Sequence, residues 1–394
     1  MKQKRYVACI GFTFYKIARL VNLNSDIEMH VFMTSAEIAR ARNDFEFKES
    51  WVHEVSDNVI NLKNLRRGNF WNKEYPNAEL YLLTDSAPLF ASAPKLSKSV
   101  FLPIGFDLTE QPFVEYAFRR GKKFQDKIRL VLLSIIQAGR IRNVQEVWCS
   151  NFDVFTLSLR KLGYTRRFES FVPLPINYDA HKANNGFDFI KKEEDFTIFF
   201  PGRVMTTKSK YDLQSGQTKG AEIAAQGFID FTRIVKSRIE LLIVDNSSST
   251  DSVQIKKMFE ENKVNHLVRW ISPQEDIGRV SSEEMASIYR ISDVILGDFG
   301  SNWFGQTALE SAVHAKPFIS KMDSDFMLEN FQDNPFCLAA DASEISLKLL
   351  ELYENENARS YYGAKMHSWF NKNFDEDSVS DWYRTQIERV LNYK

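Results

Sequence analysis

Apolar residues in this chain gather in short dense runs separated by longer amphipathic or polar stretches, and the runs form two series. The first is RYVACIGF, EMHVFM, NVINL, AELYLLTD, KSVFLPIG and VQEVWCS; the second is FTIFFPG, IELLIVD, HLVRWIS, DVILGDF and KPFIS. Short apolar runs with longer connections predict strands joined by crossovers, the arrangement that parallel neighbours require. In the second series the connections read as helices: GAEIAAQGFIDFTRIV, SVQIKKMFEENK, SEEMASIYRI and TALESAVHA. The pattern predicts two doubly wound α/β domains, and sheets of that kind take ligands at the carboxyl ends of their strands.

Between the two series, AHKANNGFDFIKKEED is polar, charged and without period, which predicts a linker. We read a first domain over 1–180, a linker over 181–195, a second domain over 196–365 and a helical segment over 366–394. The last segment has apolar positions at Trp382, Ile387, Val390 and Leu391 and can cap either domain, the first included. A length of 394 residues agrees with two cores rather than one, and two domains imply a cleft.

Composition narrows the function classes. With 51 Lys+Arg against 52 Asp+Glu the net charge is −1, too balanced for a dedicated nucleic-acid binder. Cys9, Cys149 and Cys337 stand far apart with no CxxC or Cys/His spacing, so reduced core thiols in a cytoplasmic protein are expected, not a disulfide frame or zinc site. No run of about 18 apolar residues occurs, and YVACIGF reads as a strand, not a leader. The expected location is cytoplasmic, at most peripheral on the inner face of a membrane. The segment PFVEYAFRRGKKFQDKIRLVLLSIIQAGRI bears on that point, since Arg119, Arg120, Lys122, Lys123, Lys127 and Arg129 precede a part dense in Leu, Val and Ile. It reads either as a buried helix with a solvated basic end or as a membrane contact through residues 119–129.

Candidate chemistry concentrates in the second series. Gly202 and Arg203 directly follow the strand FTIFF; glycine admits a close ligand, and a guanidinium clasps phosphate oxygens through two parallel donors. Lys219 stands just before a helix, beside its positive end. Phe304, Gly305, Gln306 and Thr307 precede ALESAVHA, so their backbone N–H groups would line a helix start, a ready anion site. Thr307-x-x-Glu310 also fits a capping box, in which Glu310 bonds back to the Thr307 N–H, and spacing alone favours that reading. In the first series Asp85 and Ser86 follow AELYLL, and LPIGFDLTE holds Gly105 and Asp107; strand ends face the crevice, which makes Asp85, Ser86 and Asp107 cleft candidates. His53 has the most suitable setting among the histidines, although a lone histidine is more often packed or at the surface. The DSD at 323–325 reads as a loop, so no metal site is expected.

The ordered set FFPGRV, TKG opening a helix, LLIVDN and SEEMASIYRISDVILGDFGSNWFGQTALESAVHAKPFIS resembles the nucleotide-sugar-binding domain of GT-B glycosyltransferases of the large retaining family 4, over Phe196 to Ser320. More loosely, VWCSNFDVFTLSLRKLGYTRRFESFVPLPINYD is similar to that family's exit from the first domain, and LPIGFDLTE to its acceptor-side glycine loop. The resemblance implies two Rossmann-like domains facing across a cleft, with the acceptor domain first. It implies hexosyl transfer from a nucleotide-diphosphate sugar to a glycan, lipid-linked or other acceptor, with retention of configuration and no cofactor or metal, as in polysaccharide or glycolipid biosynthesis.

Carried over by position, the family's phosphate-binding arginine falls on Arg203 and its lysine on Lys219. Lys208 is the second choice, because the insertion MTTKSKYDLQSGQ separates the two. The ribose-binding carboxylate falls on Glu310, and an earlier carboxylate falls on Asn302. Arg203, Lys219 and Asn302 are therefore the expected catalytic positions, with Gly202 and residues 304–307 lining the donor. Asn302 departs from the family pattern: an amide bonds sugar hydroxyls but brings no negative charge to an oxocarbenium ion. That departure keeps open a non-catalytic nucleotide-binding or scaffold subunit, and an epimerase-like or phosphorylase-like reaction on the same fold.

Overall fold

A computed structural model of the chain describes residues 5–23, 26–42, 44–55, 78–91, 93–120, 123–149, 152–169, 171–182, 189–206, 218–236, 238–245, 250–272 and 280–392. The expected strand NVINL and the candidate Lys208 lie outside the described residues. The chain divides into two units, Met1–Pro175 with Glu376–Lys394, and Ile176–Asp375.

Unit 1 holds β1 (Arg5–Ile10), β2 (Ile27–Thr34), β3 (Val52–Val55), β4 (Leu80–Leu83), β5 (Ser99–Phe101), β6 (Glu146–Trp148) and β7 (Phe168–Glu169). They pair in parallel in the order β3-β2-β1-β4-β5-β6-β7. Side chains alternate across a strand, so β1 sends Val7 and Cys9 into one core and Ala8 into another. Both faces are thus apolar, which is why the central strands read as continuous runs.

Unit 2 holds β8 (Phe196–Phe200), β9 (Ile239–Val244), β10 (Val268–Ile271), β11 (Val294–Leu296), β12 (Phe318–Ser320) and β13 (Cys337–Leu338). Its order is β10-β9-β8-β11-β12-β13, again parallel throughout. In each sheet the strand order reverses once, between β1 and β4 and between β8 and β11. That reversal opens a crevice at the carboxyl ends of the central strands.

The unit boundaries differ from those read in the sequence. Residues 181–195 group with unit 2, as do residues 366–375. Met366, Trp369, Phe370 and Phe374 are buried there. The helix Glu376–Asn392 groups with unit 1, where Val379, Tyr383, Ile387 and Val390 share a core with Val7, Phe14 and Trp148. Arg389 fastens it through both guanidinium ends to Glu146, Nη1 to Oε2 at 2.9 Å, and the same carboxylate accepts from Trp148 Nε1 at 2.9 Å.

The basic segment forms two helices, Val114–Arg120 and Phe124–Ile141. Among the described residues no helix is long and apolar enough to cross a membrane. The three cysteines are free and buried.

Candidate functional site

The loop after β11 meets the segment before the helix Ala221–Ile234, and β8 ends beside β11. β8 and β11 are direct neighbours, with Ile198 opposite Val294 and Phe199 opposite Ile295. Beyond β8 the chain runs through Pro201 and half-buried Gly202 to Arg203, which is exposed. Beyond β11 it passes Asp298, and there Phe299 N donates to the Lys219 carbonyl at 3.2 Å. Two glycines permit this approach. A Cβ on Gly300 would lie 2.1 Å from the Thr218 carbonyl oxygen; one on Gly220, which adopts φ +65°, would lie 2.7 Å from Phe299 Cβ.

Lys219 Nζ consequently reaches Asp298 Oδ2 at 2.6 Å. Asp298 Oδ1 accepts from Gly300 N at 2.8 Å and Ser301 N at 3.2 Å, and its carbonyl accepts from Ser320 Oγ at 2.9 Å. One buried carboxylate thereby fixes the exit of β11 and the direction of the lysine. Asp298 was not among the sequence candidates. Its signal was available: an acidic residue two positions past VIL, on the strand beside the one that delivers Arg203.

The helix Gln306–Val313 follows. Its N-cap is Gly305 in extended backbone, with no side-chain cap bond. This overturns the capping-box reading, because the helix begins one residue before Thr307 and Glu310 falls in the second turn. The first turn of an α-helix carries N–H groups without intrahelical partners and a positive dipole end, so this helix start is of the kind that suits an anion. The ring of Phe304 turns away into an aromatic core with Trp303, Phe336, Trp369 and Phe374 and does not line a ligand site. Asn302 is half-buried, and its carbonyl accepts from Asp323 N at 3.3 Å. Asp323 in turn caps the helix Ser324–Phe331, accepting from Phe326 N at 3.1 Å, so the DSD opens a helix and is not a loop.

Glu310 is held from two sides. The Tyr289 hydroxyl lies 3.0 Å from Glu310 Oε2, and His181 Nε2 lies 3.8 Å from Oε1. His181 Nδ1 is 3.1 Å from His314 Nε2, and the His314 ring stacks on Tyr289 at an interplanar angle of 12°. Burial, the Glu310 charge and the bond to it raise the Tyr289 phenol well above its ordinary value, so it stays a donor. Burial pushes His314 down to about 3, helped by His181, Arg290 and Lys316, and keeps it neutral. The side chain of Glu310 remains 18% exposed, enough for one edge of the carboxylate to meet a ligand. Sequence reading named none of Tyr289, His181 and His314. The four-residue spacing from Glu310 to His314, one helical turn, was the available clue.

In unit 1, Asp85 follows β4 with φ +53°, and Ser86 Oγ donates to its Oδ1 at 3.2 Å. Burial raises the Asp85 carboxyl. Gly105, at φ +149°, opens the turn that Asp107 folds: Asp107 Oδ1 accepts from Gly105 N at 2.8 Å and from Ile104 N and Leu108 N at 3.1 Å. Asp107 is fully buried, and burial together with the Asp85 charge raises it to about 7. The structure thus gives Asp107 a turn to hold, leaving Asp85 and Ser86 nearer the surface. His53 lies on β3 with its ring stacked on Phe32 and 2.8 Å from His30 Nδ1.

No protein-family model matches the chain. An uncharacterized glycosyltransferase of Methanocaldococcus jannaschii is 23% identical over 182 residues, a match spanning 44% of this chain and 43% of that protein. Among solved structures, sucrose-phosphate synthase from Thermosynechococcus elongatus aligns over 98% of this chain and 99% of its own, with a TM-score of 0.63 and 12% identity. Anabaena HepE in complex with UDP and glucose aligns over 98% and 100%, with a TM-score of 0.66 and 10% identity. At such identities the likeness is one of fold. The chain has the GT-B glycosyltransferase fold: two Rossmann-like units, each a doubly wound parallel sheet.

Proposed function

We propose that this chain is a glycosyltransferase whose donor, a nucleotide-diphosphate sugar, binds at the reversal between β8 and β11. What supports the reading is that Arg203 follows β8, that Lys219 is held against Asp298 beyond the neighbouring strand β11, and that the chain leaving β11 leads into the helix Gln306–Val313. The bond from the sugar's anomeric carbon to the diphosphate breaks, and negative charge grows on the leaving phosphate. Arg203, Lys219 and the positive end of the helix Gln306–Val313 stabilise that charge. The reading assigns no metal to this step, since the chain's own donors meet the diphosphate.

Glu310, oriented by Tyr289 and His181, accepts the ribose hydroxyls. Asn302 bonds a hydroxyl of the transferred sugar and leaves oxocarbenium stabilisation to other groups. Retention requires the acceptor oxygen to enter on the face from which the diphosphate departs. The acceptor in this reading is a hydroxyl of a glycan or a lipid-linked carrier.

The HepE structure contains UDP and glucose, which supports UDP-glucose as the first donor to try. The test is a panel of nucleotide sugars, scored by thermal stabilisation and by release of nucleotide diphosphate with and without acceptors. We expect at least one donor both to stabilise unit 2 and to turn over. Stabilisation without turnover across acceptors would favour the non-catalytic subunit; the absence of both would refute the donor site.

A further inference from the structure

The sequence left the segment around residues 114–141 between a buried helix and a surface contact, and the structure buries one face of it while leaving several large apolar side chains outside. Phe124, Ile128, Leu132 and Ile135 are 76%, 48%, 53% and 57% exposed, and Phe118 on the preceding helix is 61% exposed. At about 100° per residue, the four on the longer helix fall within about 80° of arc. The helix packs through a separate face, where Ser134, Gln137, Ala138 and Ile141 are buried. A stripe of large apolar side chains aligned along one exposed helix face is unlike the single exposed residues that any surface carries.

Charge flanks that stripe. Lys127 and Arg129 lie about 100° to either side of its centre, and exposed Lys123 stands at the start of the helix. The sequence over 119–129 carries six cations and one carboxylate, Asp126. Glu115 is the acidic residue on the preceding helix. Since no described helix can cross a bilayer, this one would lie along a surface, with apolar side chains inserted and cationic heads raised toward phosphates.

We propose that the helix Phe124–Ile141 docks on an anionic lipid surface, with Phe124, Ile128, Leu132 and Ile135 entering the headgroup boundary and Lys123, Lys127 and Arg129 meeting lipid phosphates. Charge complementarity selects the anionic bilayer over a neutral one. The proposal stands apart from the donor site, because lipid binding and nucleotide binding are read separately on the same variants.

The experiment is co-sedimentation of the full chain with vesicles of phosphatidylcholine alone and of equimolar phosphatidylcholine and phosphatidylglycerol, at low and high salt. We expect binding to the anionic vesicles, weakened by salt. Ile128→Asp with Leu132→Asp should lower partitioning at least about tenfold, and Lys127→Gln with Arg129→Gln about fivefold per charge. Affinity for UDP and the unfolding temperature should stay unchanged, since all four side chains are at least partly exposed. Equal partitioning of wild type and the Asp variant, or no binding to anionic vesicles, would overturn the proposal. A dimer in sedimentation equilibrium that the Asp variant abolishes would also overturn it, by assigning the stripe to a second copy.

Discussion

Lys219 Nζ stands 2.6 Å from Asp298 Oδ2, so the cation we assign to the donor's phosphates already has a carboxylate partner. The pair has two opposed effects: Asp298 aims the ammonium, and it competes with an incoming anion for the same charge. Asn at 298 would keep an oxygen for the Gly300 and Ser301 amides while losing the charge. Asp298→Asn is therefore expected to tighten UDP binding at low salt, and Lys219→Met to weaken it by about 1.5–3 kcal/mol. Calorimetric titration reads both, and equal affinity in wild type and Lys219→Met would remove the lysine from the site.

Arg203 is exposed and not part of the core, so its removal should cost affinity and not stability. Arg203→Ala should weaken UDP binding by about 1.5–3 kcal/mol, with unfolding shifted by less than about 0.5 kcal/mol. Arg203→Lys should recover only part of the loss, because an ammonium lacks the paired donors of a guanidinium. Full recovery would mean that a point charge suffices.

Glu310→Gln keeps one oxygen to accept from the Tyr289 hydroxyl, so the fold should change by no more than about 1 kcal/mol. The charge that meets two ribose hydroxyls is lost. Wild type is expected to prefer UDP over its 2′,3′-dideoxy analogue, and the variant to discriminate between them far less. Undiminished discrimination would place the ribose elsewhere. The companion change Asn302→Glu should alter sugar turnover more than affinity for bare UDP.

Half-buried His314 and buried Asp107 give the units opposite responses to acid. His314 is neutral in native unit 2, with its value lowered from 6.5 to about 3, while the unfolded chain takes up the proton first. Its contribution is present above pH 6.5 and is lost as pH falls toward about 3, with a slope of up to about 1.4 kcal/mol per pH unit. Asp107 has the reverse sign: raised from 3.8 to about 7, it keeps its proton in native unit 1 after the unfolded chain has released one. Its contribution is fullest below pH 3.8 and is lost as pH rises through about 7. Denaturation followed from pH 4 to 6.5 should show His314→Gln flattening the acid loss and Asp107→Asn flattening the opposing trend. Parallel slopes in wild type and either variant would contradict the assignment.

Ile387 lies fully buried in the unit 1 core. Ile387→Ala should destabilise that unit by about 2–5 kcal/mol, with UDP still stabilising unit 2 in thermal scans. Loss of both transitions together would mean that the units unfold as one.

Much of this fold was legible because the central strands are apolar on both faces: FTIFF, IELLIV and VIL announce themselves without context. The edge strands do not. β7 and β13 have two residues each, and β3, VHEV, carries a charge and a histidine on a partly exposed edge. Arg203 and Lys219 could be placed at element ends from the sequence because each follows or precedes an element whose end is marked by glycine. Asp298 and the group of Tyr289, His181 and His314 were not, since their roles arise from contacts across loops far apart in sequence. The exposure of Ile128 and Leu132 was equally hidden, because periodicity reveals that a helix has an apolar face and not what that face meets.

The return of the helix Glu376–Asn392 to unit 1 has a consequence for how the protein is made. Unit 2 is one uninterrupted stretch, Ile176–Asp375, whereas unit 1 is split around it. A ribosome adding about 5–20 residues per second therefore releases all of unit 2 before the side chains that close the first core, Val379 to Val390, have emerged. The segment made first is the last to be finished. For the roughly 200 residues of intervening synthesis, some ten to forty seconds at that pace, the part of the first core that Val379 to Val390 fill, beside Phe14 and Trp148, waits for its last side chains.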